Sequence, residues 1–169
     1  YPMAQNILKE GFNLTAFNRT NKKAQGLSKN GAEVVNSIKE AVEKSKIIVT
    51  MLSDDDAVLS VISNKDFLEN IKKNSIVIDM SSTKPITSKK INEILKKKEI
   101  YFLDAPVSGG TSGAKNGNLA IMVGGEKEVF NKALNLLNTM GNPTLVGPIG
   151  CGQIAKLANQ IIVCLLYTS

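Results

Sequence analysis

The chain has 169 residues, 43% hydrophobic and 21% charged, with a formal net charge of +6, which is enough to bury one core and too apolar for disorder. It contains no histidine; this excludes Ser-His-Asp and Cys-His catalysis and leaves proton transfer to Lys, Asp, Glu, Tyr or water. Two lone cysteines argue against a metal site, and lysines scattered over helix-like stretches such as 88–98, away from aromatic clusters, argue against nucleic acid as a partner.

Met3, Ile7 and Leu8 have helical spacing, and Gly11 stops that helix. A doubly wound domain ordinarily opens with a strand and a Gly-rich phosphate loop. Neither precedes Tyr1, so the chain reads as starting inside its first helix, with that strand and loop missing. Residues 14–17, 47–52, 76–80 and 101–105 are short apolar runs separated by helix-like stretches, an alternation that predicts a parallel sheet covered by helices. Ser37 and Glu40 have capping-box spacing, Asp54, Asp55 and Asp56 place anions at a helix start, and Pro85 suits a first helical turn.

Runs 119–123 and 144–146 predict two more strands around a helix over 126–140, and the chain re-enters helix at Gly150. There Ile154, Leu157, Ala158, Ile161, Ile162 and Leu165 share one face, expected to be the core side, while Gly152, Lys156 and Asn159 share the opposite face. Cys151 and Cys164 would lie about 20 Å apart on a continuous helix, so no disulfide is expected. The apolar run 161–167 is too short to span a bilayer, and no charged leader precedes an apolar segment, which makes a cytoplasmic protein with no membrane partner the expectation.

Ligands of open α/β sheets bind beyond the C-terminal ends of the strands, and the candidate residues gather there. Asn18, Arg19 and Thr20 occupy the place where an acidic residue ordinarily binds the ribose 2′-hydroxyl of NAD. A guanidinium there suits the 2′-phosphate of NADP, with hydrogen bonds from Asn18 and Thr20 and added charge from Lys23; an ordinary surface arginine would look the same. Met51, Leu52 and Ser53 follow one strand run, and Ser81, Ser82 and Thr83 follow the next; serine-rich tips are common, so these inform only as a set.

Within 104–125, DAPVSGGTSGAKNGNLAIMVGG, Ser108, Gly109 and Gly110 offer unshielded backbone N–H groups that suit a small carboxylate, or equally form a plain connection between strands. Lys156 is the candidate acid/base. Lysine on a helix usually only solvates it, but Gly152 leaves room one turn before, and Asn159 follows one turn later. A lysine desolvated beside a nicotinamide would have its pKa lowered toward the range useful for proton transfer.

Assembled in this order, the motifs closely resemble the β-hydroxyacid dehydrogenase family, which includes 3-hydroxyisobutyrate dehydrogenase and 2-hydroxy-3-oxopropionate reductase. Tyr1-Pro2-Met3-Ala4 resembles the end of that family's opening G-x-G-x-M-G-x-P-M-A pattern, 104–125 its substrate-loop signature, and GCGQIAKLAN at 150–159 its catalytic-lysine helix. The resemblance implies a Rossmann-like cofactor domain over 1–148, and over 149–169 the start of a long helix toward an all-helical second domain. It implies Lys156 as catalytic acid/base, Asn159 orienting the substrate, and Ser108, Gly109 and Gly110 holding the carboxylate of a small hydroxyacid or semialdehyde. Met51, Leu52, Ser53 and Thr83 would contact the cofactor, and Asn18, Arg19, Thr20 and Lys23 favour NADP, with NAD possible. The complete protein would be a homo-oligomer. Without the glycine loop and the facing domain, the chain alone would be inactive; a non-catalytic nucleotide-binding or protein-interaction module is the alternative. Residues 164–169 depart from the pattern expected of the long helix.

Overall fold

A computed structural model of the chain describes residues 1–167, the side chains as far as Val163. In chain order the elements are α1 (Pro2–Lys9), β1 (Thr15–Ala16), α2 (Lys22–Ser28), β2 (Glu33–Val34), α3 (Ile38–Glu43), β3 (Ile47–Thr50), α4 (Asp55–Ile62), α5 (Lys65–Asn70), β4 (Ile76–Asp79), α6 (Pro85–Lys96), β5 (Tyr101–Asp104), β6 (Val107–Ser108), α7 (Gly110–Asn116), β7 (Leu119–Gly124), α8 (Lys127–Asn138), β8 (Gly141–Gly147) and α9 (Cys151–Tyr167). The expected βα alternation is present. Ser37 forms the predicted capping box, accepting from the Glu40 amide at 3.2 Å and donating to its carboxylate at 2.7 Å. Asp54 caps α4 through the Ala57 amide, and Pro85 opens α6.

Strands β1 and β2 pair in parallel as a separate two-stranded sheet, while β3, β4 and β5 pair in parallel in the main six-stranded sheet. The expectation of an all-parallel sheet is corrected beyond β5. Strand β7 runs antiparallel to β5, through Asp104 opposite Gly124, and to β6, through Val107 opposite Ile121 and Ser108 opposite Ala120. The register is constant across these pairs, so β5 and β6 are one line of chain interrupted at Pro106, which has no N–H to give the ladder. Strand β8 then pairs with β7 in parallel.

Both faces of the sheet are covered, which is why β4 is buried at every position. Ile76, Ile78 and Leu103 join Val129, Ala133 and Leu137 of α8 in one core, whereas Val77 and Phe102 join Ile62, Phe67, Ile91 and Leu95 in the other. The odd and even residues of β4 and β5 thus serve opposite layers. No helix among the described residues is long and apolar enough to cross a membrane.

Helix α9 corrects a second expectation. Its apolar residues Ile154, Leu157, Ile161 and Ile162 are 54 to 62% exposed, and the face bearing Gly152 and Gln153 is the buried one. The reason is close approach: a Cβ on Gly152 would lie 2.5 Å from the Met122 carbonyl oxygen and 2.6 Å from that of Asp104. Backbone contact and hydrogen bonds, not the aliphatic stripe, seat this helix. Leu165 and the 164–169 segment lie beyond the described side chains; Cys151 is a free thiol.

Candidate functional site

The ends of β3, β4 and β5 are joined by a chain of hydrogen bonds. The Leu52 amide donates to Ser81 Oγ at 2.9 Å, tying the loop after β3 to the loop after β4. The Thr83 amide donates to Gln153 Oε1 at 3.0 Å, and Gln153 Nε2 donates to the Ser81 carbonyl at 2.9 Å, tying that loop to α9. Two turns along α9, Asn159 Nδ2 donates to Ser108 Oγ at 3.1 Å. Lys156 lies on the same helical face, one turn before Asn159, and is half-buried.

The structure therefore links Leu52, Thr83, Ser108 and Asn159 through α9, and Lys156 stands on that helix between Gln153 and Asn159. Gly109 and Gly110 are exposed beside Ser108 and adopt φ of +130° and +60°, conformations that favour glycine. Gly109 stands at the N-cap of α7 and Gly110 is its first residue, where the sequence suggested only a loop. Met51 and Ser53 are exposed at the tip after β3, Ser53 donating to Asp54 at 2.7 Å. Asn18, Arg19, Thr20 and Lys23 are exposed after β1 and stand outside the hydrogen-bonded chain; Asn18 Oδ1 accepts the Thr20 amide at 2.9 Å and shapes the turn that presents Arg19.

Gly152 has a different role from the one expected of it. It makes room for sheet backbone rather than for a ligand. Ser81, of the expected serine set, is buried here, and so are Asp79, Asp104 and Gln153, which no motif singled out. The available signal was position: Asp79 and Asp104 are carboxylates closing strands that are otherwise apolar.

Burial pushes both carboxyls above their usual range. At Asp104 the Gly150 and Gln153 amides oppose that shift. At Asp79 the hydroxyls of Ser81 and Thr50 oppose it, but these and the Ser81 amide all reach Oδ1, and Oδ2 has no partner among the described residues. A carboxyl raised in the folded state stabilises most below its unfolded pKa, and that contribution is lost as pH rises through the folded value. Asp79→Asn keeps an acceptor at Oδ1 and removes the buried charge. The variant's urea midpoint, relative to the parent's, is expected to rise between pH 4 and 7; a pH-independent difference would refute the assignment.

Residues 1–154 match the model of the NAD-binding domain of 6-phosphogluconate dehydrogenase. The chain belongs to this NAD-binding family. It is 40% identical to an uncharacterized oxidoreductase, YkwC, of Bacillus subtilis over 163 residues, covering 95% of this chain and 57% of that protein. It is 36% identical to an NAD-dependent L-serine dehydrogenase of Pseudomonas aeruginosa over 167 residues, covering 98% and 56% respectively. Among solved structures, 3-hydroxyisobutyrate dehydrogenase of Mycobacterium tuberculosis with L-serine superposes with a TM-score of 0.92 at 29% identity, over 96% of this chain and 55% of that one. The chain thus spans somewhat more than half the length of these relatives. The resemblance to β-hydroxyacid dehydrogenases read from its motifs holds, as does the Rossmann-like fold of this NAD-binding family.

Proposed function

We propose that this chain is the cofactor-binding portion of an NADP(H)-dependent oxidoreductase that interconverts a small β-hydroxyacid and its semialdehyde, and that the 169-residue chain alone does not turn over. The observation that carries the reading is the Asn159–Ser108 hydrogen bond, which joins the lysine helix to the carboxylate loop. Relatives named for oxidation of L-serine and 3-hydroxyisobutyrate support the substrate class.

The residues at the cofactor edge fit a nucleotide. Thr83 Oγ1 is buried without a partner among the described residues, and Arg19, Thr20 and Lys23 offer exposed donors where the 2′-phosphate is expected. Asn18 would shape that turn, and Met51, Leu52 and Ser53 would flank the cofactor. When bound, the nicotinamide supplies or accepts hydride. Ser108, Gly109 and Gly110 would hold the substrate carboxylate, and Asn159 would orient the reacting group. Lys156 Nζ would give its proton to the carbonyl oxygen as hydride reaches the carbonyl carbon, and the neutral amine would take it back in oxidation.

Arg19→Ala in the full-length protein tests the cofactor assignment. Loss of a charged hydrogen bond to the 2′-phosphate predicts an increase of about 10- to 100-fold in KM for NADPH, with NADH barely affected. Equal effects on the two cofactors would contradict it.

A further inference from the structure

We propose that Asp104 and Gln153 are positioning residues that together set Lys156 and Asn159 against Ser108. This rests on the reading of Lys156 as the proton donor.

Helix α9 begins at Cys151, so Gly150 stands at its N-cap with φ of +92° and no side chain to cap with. Asp104 supplies the cap from the sheet. Its Oδ1 accepts the Gly150 amide at 2.7 Å and its Oδ2 accepts the Gln153 amide at 3.0 Å. These are the same two backbone donors that a capping box satisfies, through the N-cap and third-residue side chains of the helix itself. Here one carboxylate from β5 takes both, and its negative charge faces the positive end of α9.

That arrangement frees the side chain at the third helical position. Gln153, 1% exposed, uses both ends of its carboxamide on a single segment, accepting from the Thr83 amide and donating to the Ser81 carbonyl. The first turn of α9 is thereby tied to β5 and to the loop after β4. The Asn159–Ser108 bond ties a turn about 9 Å farther along. Lys156 sits between the two anchored turns. Ser108 follows Asp104 by four residues on the same line of chain, so the clamp and the carboxylate loop share one support.

The test uses the full-length protein with Gln153→Met, which keeps length and removes both hydrogen bonds, and Gln153→Glu, which keeps the acceptor but can donate to Ser81 only when protonated. Asp104→Asn serves as the companion, because its amide must face one of two backbone N–H groups. For Gln153→Met and Asp104→Asn, kcat should fall about 10- to 100-fold, the scale on which misplacement of reacting groups acts, while KM for NADPH changes less than about twofold. Amide exchange over 150–154 should quicken while that of β4 and β5 holds. Gln153→Glu should recover kcat relative to the parent as pH falls.

Unchanged kcat in Gln153→Met, with or without faster exchange, would overturn the proposal. If Lys156→Ala retained full turnover, the proton-donor reading and the catalytic part of this inference would both fall. Exchange over 150–154 would then still decide whether the clamp holds the helix, and unchanged exchange would overturn that as well.

Discussion

Replacing Lys156 with alanine in the full-length protein should lower kcat by about 10²- to 10⁴-fold, the usual contribution of a positioned proton donor, while nucleotide affinity is preserved. The reason is placement. Lys156 is half-buried between two turns of α9 that are fixed by hydrogen bonds, so removing its side chain leaves the helix seated and Asn159 still bonded to Ser108. Lys156→Arg sharpens the test, because guanidinium keeps the charge but does not release a proton. Arginine should therefore be as slow as alanine; recovery with arginine would reduce Lys156 to an electrostatic anchor.

The second large effect belongs to a residue without a side chain. Gly152 lies inside α9, where alanine ordinarily favours a helix by up to about 1 kcal/mol over glycine. Here the sign should reverse, because the new methyl would meet the Met122 carbonyl at 2.5 Å, the Asp104 carbonyl at 2.6 Å and Asp104 Oδ2 at 2.8 Å. None of these is the loose end of a flexible chain: two are sheet backbone and the third is the buried carboxylate that caps the helix. Gly152→Ala should cost about 1–3 kcal/mol, as overpacked sites do, and lower turnover by lifting Lys156 off the sheet edge. Thermal melting and kcat measured together check this, and a variant as stable and active as the parent would refute it.

Much of the fold was legible because local signals agreed with the global one. The apolar runs at 47–52, 76–80 and 101–105 became β3, β4 and β5 to within two residues, and the Ser37 box and Pro85 marked helix starts. The failures have physical causes. Strand β6 is separated from β5 at Pro106, whose missing N–H interrupts the ladder while the register continues. Helix α7, GTSGAKN, contains two glycines, so propensity argued for a loop. Strand β8 begins well before Thr144 and carries Pro143, which a strand pairing on one side tolerates.

The reading of α9 failed differently. Periodicity located its apolar face correctly but not what that face meets, since Gly152, Gln153 and Asp104 supply contacts that hydropathy does not register. Of the candidate site, the motifs pointed to Ser108 and Asn159, which the structure joins by a hydrogen bond, and to Lys156 on the same helix. The polar scaffold beneath them was not, because its partners are 46 to 72 residues apart in sequence.

Under the proposed function this edge supports hydride transfer with Lys156 moving the proton. Steady-state NADPH oxidation by the full-length protein and its Lys156→Ala variant, with short-chain semialdehydes, tests it most directly. The parent should turn over and the variant should nearly lose turnover. NADPH bound tightly without turnover, or equal rates in the two proteins, would contradict it.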